Sequence, residues 1–227
     1  MTLKLFQKNL DSLISLHDPE DTWEILVIDF GSSDVSMELW LESLDTPFTL
    51  RHIHVDGSFS RGKGLNIGFE NSSHPIVLAL DADMEIHTRD FFTDIEEYVG
   101  KQQKAFFPIC WSYTNPEHTE GYKRDSGKGI CAIQRTMFQR YIDNKTWGKE
   151  DDINFEHFEK QGKVIRTFYG EMYIHQWHPE EFEFKNKYYE KKSDIVAEKK
   201  NKGIQDSIQK FQERKTNGTR ASLFLRK

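Results

Sequence analysis

The sequence predicts an α/β domain with a largely parallel sheet flanked by helices, followed by a helical tail. Short apolar runs rich in Val, Leu and Ile alternate with stretches of helical periodicity, which is the order expected of strands connected by helices. Two of these runs, 24–29 and 76–80, stop at aspartates. Polar side chains at strand ends indicate a site along the edge where the carboxyl ends of strands meet.

The helices are predicted from apolar periodicity and from residues that begin or end helices. An apolar stripe falls on one face of residues 3–16, and Ser60 is placed to cap a helix that starts at Arg61. Gly100 and Gly162 are expected to end helices. The predicted helices of the domain are 3–16, 35–44, 61–71, 90–99, 135–142 and 151–161.

The strands are predicted from short apolar runs that are bounded by polar or turn residues. These runs are 24–29, 48–55, 76–80, 105–113, 129–133 and 164–169. Residues 114–130 combine Gly, Asn, Pro, Ser and charged residues without periodicity. They are therefore predicted to form a loop that can close over a ligand.

Length and composition are those of one folded domain with an added tail. The 227 residues are 37% hydrophobic and 13% aromatic, although the mean hydropathy is −0.72. No apolar run reaches the roughly 18 residues that a membrane span needs. Cysteine occurs only at Cys110 and Cys131, and the first residues lack a signal-peptide pattern, so the reducing cytoplasm is the expected location.

Charge divides the chain near residue 180. Residues 185–227 carry 13 Lys and Arg against 5 Asp and Glu, whereas residues 1–184 carry 18 against 32. The acidic domain, 1–180, argues against nucleic acid as the main partner, because phosphate contacts supply most of that affinity. The basic tail, 181–227, is expected to form a solvated helix, with peripheral contact to an anionic membrane surface as the alternative.

The acidic pair Asp81 and Asp83 is the strongest chemical signal in the chain. Alternate residues of an extended chain point the same way, so both carboxylates are expected on one side of the strand end. A hard divalent cation relieves their repulsion, and a diphosphate is the usual partner of such an ion. The pair therefore indicates metal-assisted chemistry on a phosphorylated donor, with a solvated strand end as the alternative.

Two further segments place polar residues at the ends of elements. Asp29 comes before a Gly-Ser turn, where its carboxylate either accepts hydrogen bonds from a base or ribose or belongs to an ordinary capped turn. The segment RGKGLN, 61–66, begins a helix with two cations and two glycines. It can approach a phosphate group, or it is an ordinary capped helix.

Two clusters lie nearer the carboxyl end of the domain. The segment WGKEDD, 147–152, combines an aromatic face that suits a sugar ring with carboxylates, one of which can act as a general base. The alternative is a set of acids that stabilises a helix N-terminus. His175 and His178 follow, and an imidazole can complete a mixed carboxylate–histidine metal site.

The order of these motifs resembles the nucleotide-sugar glycosyltransferases of family 2, which have the GT-A fold. The matching blocks are VIDFGSSD, SRGKGLNIG, LDADM, WGKEDD and HQWH, in that order over about residues 1–180. The resemblance is nearest to the chondroitin-polymerase and β-1,4-galactosyltransferase branch. It implies a GT-A, Rossmann-like domain that transfers a sugar, with inversion, from a nucleotide-sugar to a hydroxyl of a glycan or another acceptor. The expected donor is a UDP-sugar.

The resemblance also implies roles for individual residues. The nucleotide-sugar would contact Asp29, Arg61, Asn66, Asp81 and Trp147. Mn²⁺ or Mg²⁺ would bind Asp83 and His175, with His178 as the alternative ligand. Asp151 would remove the proton from the acceptor hydroxyl, and Glu150 would help to hold the acceptor.

The chain departs from the family pattern in two places. Many relatives carry a second aspartate directly after the position of Asp29, where this chain has Phe30. The usual first strand is expected to be missing, because the first predicted helix begins almost at Met1. That start favours a non-catalytic carbohydrate- or nucleotide-binding module, or a truncated remnant, as the alternative, whereas the intact acidic pairs oppose it. A nucleotidyltransferase is the other alternative, but the glycine- and lysine-rich N-terminal loop of that class is absent.

Overall fold

The computed structural model describes residues 3–33, 36–143 and 149–179 of the chain. The predicted basic tail, 181–227, lies outside these residues, so the boundary near residue 180 stays a prediction. Within the three described ranges, no helix is both long enough and apolar enough to cross a lipid bilayer.

The described residues form five α-helices and ten short strands. The helices are α1 (Leu3–Leu16), α2 (Met37–Glu42), α3 (Arg61–Asn71), α4 (Asp90–Asp94), which continues as a π-helical turn at Ile95–Lys101, and α5 (Glu150–Lys160). The strands are β1 (Glu24–Asp29), β2 (Thr49–His54), β3 (Ile76–Ala79), β4 (Met84–Ile86), β5 (Ala105–Phe106), β6 (Trp111–Tyr113), β7 (Gly121–Lys123), β8 (Cys131–Gln134), β9 (Val164–Ile165) and β10 (Tyr173–His175). Short 3₁₀ turns occupy Arg135–Met137 and Gly170–Met172.

These strands pair in three small sheets. β1 and β2 are parallel, with Asp29 opposite His54 at one end. The second sheet has the strand order β3-β8-β5-β9, and the third has the order β4-β10-β6-β7. Three of the pairings between described strands are parallel and four are antiparallel. The α/β architecture is confirmed, and the pairing is more mixed than the sequence predicts.

The second sheet is buried on both faces. Phe106 packs with Phe91 of α4 on one face, while the next residue, Phe107, packs with Phe155 and Phe158 of α5 on the other. Consecutive residues of a strand point to opposite faces, which puts the two phenylalanines in separate clusters. Buried aromatic side chains dominate the energetics of a core. The residues at the edges of this sheet are therefore attached to a well-packed core.

Four segments differ from the predicted secondary structure. Gly100 lies inside the π-helical turn, and the chain leaves the helix only near Gln103, which has a φ of 53°. The predicted helix 135–142 is wrong, because one 3₁₀ turn leads into an extended Phe138. The predicted strand 105–113 is two strands, separated around Pro108, which has no amide to donate to a ladder. The predicted loop 114–130 contains β7.

Candidate functional site

Strand pairing brings together residues that are distant in sequence. A turn after β3 carries Asp81 and Asp83, and β4 begins immediately afterwards at Met84. β10 runs antiparallel to β4 with His175 opposite Met84. The next amide, that of Gln176, donates to the carbonyl of Asp83 at 2.9 Å. This backbone ladder fixes His175 beside Asp83.

Asp83, His175 and His178 form a compact group of potential metal ligands, here called the ligand cluster. The Nε2 atoms of His175 and His178 lie 3.4 and 3.5 Å from Oδ2 of Asp83. One ligand atom from each residue lies within 4.8 Å of the other two. The His175 side chain is 2% exposed and that of His178 is 23% exposed, so the cluster opens toward solvent beside His178. The two histidines are therefore brought to Asp83 together, rather than as alternatives.

The surroundings of the ligand cluster suit a divalent cation. Burial alone would raise the pKa of Asp83, but His175 and His178 outweigh that effect and hold this pKa well below its ordinary value. Oγ of Ser112 lies 3.3 Å from Nδ1 of His175, so the ring is oriented with Nε2 toward Asp83. One carboxylate and two imidazoles form a donor set typical of a first-row transition metal, whereas Mg²⁺ prefers oxygen ligands.

Helix α1 supports the turn that carries the two aspartates. Nδ2 of Asn9 donates to the carbonyls of Met84 at 2.7 Å and Asp81 at 3.3 Å. Oγ of Ser12 accepts the amide of Ile86 at 3.2 Å. These contacts are buried or partly buried, so α1 satisfies backbone groups of the turn and of β4 that would otherwise lose hydrogen bonds.

A second group, here called the arginine cluster, consists of Arg61, Asp81 and Asp151. Nε and Nη2 of Arg61 lie 3.3 and 3.4 Å from Oδ1 of Asp81. Nη1 donates to Oδ1 of Asp151, and Nη2 also donates to the carbonyl of Gly129 at 2.5 Å. One guanidinium therefore links the starts of α3 and α5 with the turn after β3.

Helix α5 begins with three consecutive acids, Glu150, Asp151 and Asp152. Burial raises the pKa of Asp151, and Glu150 and Asp152 add to that rise against the opposing effect of Arg61. Asp152 is largely exposed and pairs with Lys128 at 3.0 Å, whereas the Asp151 side chain is only 27% exposed. Asp151 is thus a sheltered carboxylate with a raised affinity for a proton, as a general base requires.

A side chain of helix α3 holds the segment around Tyr141, which precedes α5 in the sequence. The two polar groups of the Asn66 side chain bond to the backbone of Tyr141: Nδ2 donates to its carbonyl at 3.0 Å, and Oδ1 accepts its amide at 2.8 Å. In this structure Asn66 therefore stabilises a loop, and its predicted contact with a nucleotide stays a prediction. Trp147 lies outside the described residues.

Two other residues of the same motif contact the same loop. Oγ of Ser60 donates to Asp143 at 2.7 Å. A Cβ atom on Gly62 would overlap the backbone carbonyl of Ile142, so glycine permits the close approach of helix and loop. The motif SRGKGLN thus positions this loop as well as the side chain of Arg61. The sequence alone does not reveal its role in positioning the loop.

Asp29 ends β1 and is nearly buried. Oδ1 accepts the amide and the hydroxyl of Ser32, both at 2.8 Å, and Oδ2 lies 3.4 Å from Nε2 of His52. Burial would raise the pKa of Asp29, but these hydrogen bonds and the imidazole outweigh it and lower the pKa. Phe30 follows and meets Phe59 edge to face, with ring centroids 5.3 Å apart. Phe30 therefore belongs to an aromatic pair.

The chain after β7 is held against the second sheet by Arg166. Its Nη1 and Nη2 atoms donate to the carbonyls of Asp125 and Gly127, both at 2.7 Å. Lys128 lies over the ring of Phe155, with 4.6 Å between Nζ and the ring centroid. The part of the predicted loop nearest Asp151 is therefore tied to the sheet and to α5. Motif reasoning missed Arg166, since a lone arginine in a polar stretch gives no signal, and it also missed Ser112.

The amino-acid sequence of this domain matches a known protein family. The profile described as Glycosyl transferase family 2 matches residues 3–159, which include β1, α3 and the aspartate turn. The chain belongs to this family. The arginine cluster and Asp83 lie within the matched residues, whereas His175 and His178 lie beyond them.

Relatives of known activity resemble this family 2 chain over most of its length. The mouse (Mus musculus) N-acetyl-beta-glucosaminyl-glycoprotein 4-beta-N-acetylgalactosaminyltransferase 1 is 23% identical over 175 residues, covering 73% of this chain and 17% of the relative. The human (Homo sapiens) chondroitin sulfate N-acetylgalactosaminyltransferase 1 is 26% identical over 183 residues, covering 68% of this chain and 34% of the relative. The matched part of the chain thus spans only 17% to 34% of the length of these relatives.

Solved structures confirm the GT-A fold. S. aureus TarS, residues 1–349, superposes with a TM-score of 0.58 at 12% identity, covering 76% of this chain and 57% of that one. The mannosyltransferase PcManGT from Pyrobaculum calidifontis, solved with GDP-Man and Mn²⁺, gives a TM-score of 0.58 at 16% identity, covering 80% and 55%. A 4-diphosphocytidyl-2C-methyl-D-erythritol synthase from Anaerococcus prevotii gives 0.54 at 17% identity, covering 82% and 89%. At these identities the likeness shows the fold alone, which proteins named as a mannosyltransferase and as a synthase both have.

Proposed function

We propose that this domain transfers a sugar from a UDP-sugar to a hydroxyl group, with inversion at the anomeric carbon and with a divalent cation as cofactor. The observation that carries the proposal is the convergence of Asp83, His175 and His178 beside the aspartate turn. The arginine cluster shares that turn through Asp81. The names of the relatives, which transfer N-acetylgalactosamine, support sugar transfer as the reaction class.

The ligand cluster would hold the cation through Asp83 and His175, with His178 on the open side. The positive charge of a divalent cation held there would stabilise a leaving diphosphate. Two imidazoles favour Mn²⁺ over Mg²⁺. The Mn²⁺ and GDP-Man bound by the structurally similar mannosyltransferase are consistent with this choice of cofactor.

Asp151 would act as the general base. Its carboxylate takes the proton from the acceptor hydroxyl, and the acceptor oxygen forms a bond to the anomeric carbon of the donor sugar. The bond from that carbon to the diphosphate oxygen breaks, and its electron pair leaves with the nucleoside diphosphate. Attack on the face opposite the leaving group inverts the anomeric configuration. Glu150, the buried neighbour of Asp151, would help to hold the acceptor.

The donor would lie between the aspartate turn and the end of β1. Asp81 would face the ribose or the sugar, and Asp29 would contact the nucleoside. Arg61, Asn66 and Trp147 complete the proposed nucleotide-sugar contacts. Both oxygens of Asp29 already have partners in Ser32 and His52, so a nucleoside would share or replace these hydrogen bonds.

Replacement of the proposed base tests this assignment. Asp151→Asn is expected to lower the rate of transfer from UDP-sugars by a factor of about 100 to 10,000, because a general base contributes on that order. UDP binding should keep its dependence on Mn²⁺, since the ligand cluster is untouched. The matched control is Asp152→Asn, which changes an exposed acid in the same helical turn and should leave transfer within about threefold of wild type.

Near-wild-type transfer by Asp151→Asn would refute the role of Asp151 as the base. A wild-type protein that binds UDP with Mn²⁺ but transfers no sugar to any tested acceptor would favour the non-catalytic binding module. Release of diphosphate from a nucleoside triphosphate and a sugar phosphate would favour the nucleotidyltransferase.

A further inference from the structure

Arg61 is a buried cation that serves two carboxylates at once. Its side chain is only 7% exposed, although it begins α3 at the edge of the site. Its guanidinium contacts Asp81, Asp151 and the carbonyl of Gly129. These partners belong to the turn after β3, the start of α5 and the segment before β8. Four separate parts of the chain therefore meet at one side chain.

The planar guanidinium of Arg61 fixes the direction of its hydrogen bonds as well as supplying a positive charge. An arginine presents its N–H groups in a rigid fork, so each carboxylate that it binds is held at a defined angle. Nη1 binds Asp151, while Nε and Nη2 bind Asp81 on the other side of the fork. Because the Gly129 carbonyl also accepts from Nη2, the fork cannot rotate without losing a further hydrogen bond.

The charges around Asp151 give this contact a chemical consequence. Glu150 and Asp152 flank Asp151 on α5, and Lys128, from the segment before β8, pairs with Asp152. The thiol of Cys131 and the phenol of Tyr141, whose pKa values are raised by burial, also interact electrostatically with Asp151. The two acids and burial favour the protonated carboxyl, and the guanidinium of Arg61 opposes them. Loss of that cation should therefore shift the ionisation of Asp151 to higher pH.

We propose that Arg61 is a positioning residue that locks the carboxylate of Asp151 to the donor-side carboxylate of Asp81. The proposal rests on the proposed function, in which Asp151 is the base and Asp81 faces the donor. It gives Arg61 a task beyond contact with a nucleotide. Arg61 orients the base, favours its ionised form, and ties its position to the turn that receives the donor.

The test compares Arg61→Gln, Arg61→Lys and wild type by the pH dependence of kcat. The base works only when ionised, so kcat falls as pH drops through its pKa. Arg61→Gln should move this acidic limb up by about one pH unit or more, since an opposite charge within a few ångströms shifts a carboxyl by that order. It should also lower kcat by about 100-fold at neutral pH, because the carboxylate loses its alignment.

Arg61→Lys retains the positive charge without the fork. Its acidic limb should stay near that of wild type, while kcat recovers only part of the loss. The matched control is Arg140→Gln, which removes an exposed arginine outside the helices. Arg140 pairs at 2.6 Å with Glu70 of α3, the helix that begins at Arg61. That control should leave both kcat and the acidic limb unchanged.

An acidic limb that stays at the wild-type pH in Arg61→Gln would overturn the proposal. So would a variant in which only the KM for the donor rises, since Arg61 would then be a donor contact. The ionisation of the Asp151 carboxyl group can also be measured directly, by carbon NMR of protein that is isotope-labelled at its aspartates. The signal of Asp151 is assigned by its loss in Asp151→Asn. The carboxyl should titrate at higher pH in Arg61→Gln than in wild type, and an equal titration would contradict the proposal. This readout needs no turnover, so failure of the proposed function and failure of the Arg61 proposal are distinguished.

Discussion

The ligand cluster and the arginine cluster lie beside the same turn but are built differently. Backbone pairing between β4 and β10 places His175, and the amide of Gln176 bonds to the carbonyl of Asp83. In contrast, Arg61 and Asp151 come from the first residues of two helices and meet only through side chains. The proposed metal site is therefore set by the sheet, whereas the position of the proposed base depends on a few polar contacts.

The largest effect is expected at the ligand cluster. Asp83→Asn removes the charge that pairs with both histidines and should lower transfer by about 1,000-fold or more, since a metal ion supplies several kcal/mol of stabilisation. UDP binding should lose its dependence on Mn²⁺, as measured by calorimetry with and without the metal. Asp151→Asn should keep that dependence, which would separate the two clusters.

The control for this variant is Asp90→Asn, which changes an exposed aspartate at the start of α4. It should bind UDP and Mn²⁺ as wild type does. Equal Mn²⁺-dependent binding by Asp83→Asn and wild type would contradict the assignment of the ligand cluster.

The parts of the site that the sequence predicts are those set by local pattern. Helix α1, strand β1 and helix α3 have the predicted bounds, because apolar periodicity and the Ser60 cap act over a few residues. The side chain of Ser60 does accept the amide of Lys63, at 3.3 Å. The site at the Asp81–Asp83 pair is predicted from the apolar strand that precedes it. These signals need no knowledge of distant contacts.

A smaller effect is expected from the packing of α3 on its loop. Gly62→Ala places a methyl group against the carbonyl of Ile142, so helix or loop must move. Such overpacking costs about 1–3 kcal/mol of unfolding free energy. Misplacement of the loop should lower transfer by about 10- to 100-fold. Binding of Mn²⁺ and UDP should change little, because the ligand cluster does not depend on this contact.

Gly68→Ala is the matched control on the same helix. A Cβ there would lie 3.8 Å from Ile28, an ordinary contact, and alanine favours helix over glycine. Its stability should equal or exceed that of wild type, as measured by thermal unfolding. If Gly62→Ala behaves like Gly68→Ala in both stability and transfer, the loop is not held as the structure indicates.

The parts that the sequence misses depend on long-range pairing. Strands β4, β7 and β10 have three residues each, too short for periodicity to register, yet two of them assemble the ligand cluster. The predicted helix 135–142 fails because Asn66 takes both backbone groups of Tyr141. A residue from a distant helix thus overrides the local preference of this segment.

The smallest effect is expected at the residue that orients His175. Ser112→Ala removes the hydroxyl 3.3 Å from Nδ1 of His175 and should weaken Mn²⁺ affinity by about tenfold, the low end for residues that orient a metal ligand. Ser15→Ala is a control, since Ser15 bonds only within α1 among the described contacts. An unchanged Mn²⁺ affinity in Ser112→Ala, measured by electron paramagnetic resonance, would mean that strand β10 alone fixes the orientation of the His175 ring.

The most direct test is diffraction at the manganese absorption edge from crystals grown with MnCl₂ and UDP. The proposed metal site predicts one anomalous peak in bonding contact with Asp83 and His175 and with the diphosphate of UDP. An ordered UDP with no anomalous density at these residues would contradict it.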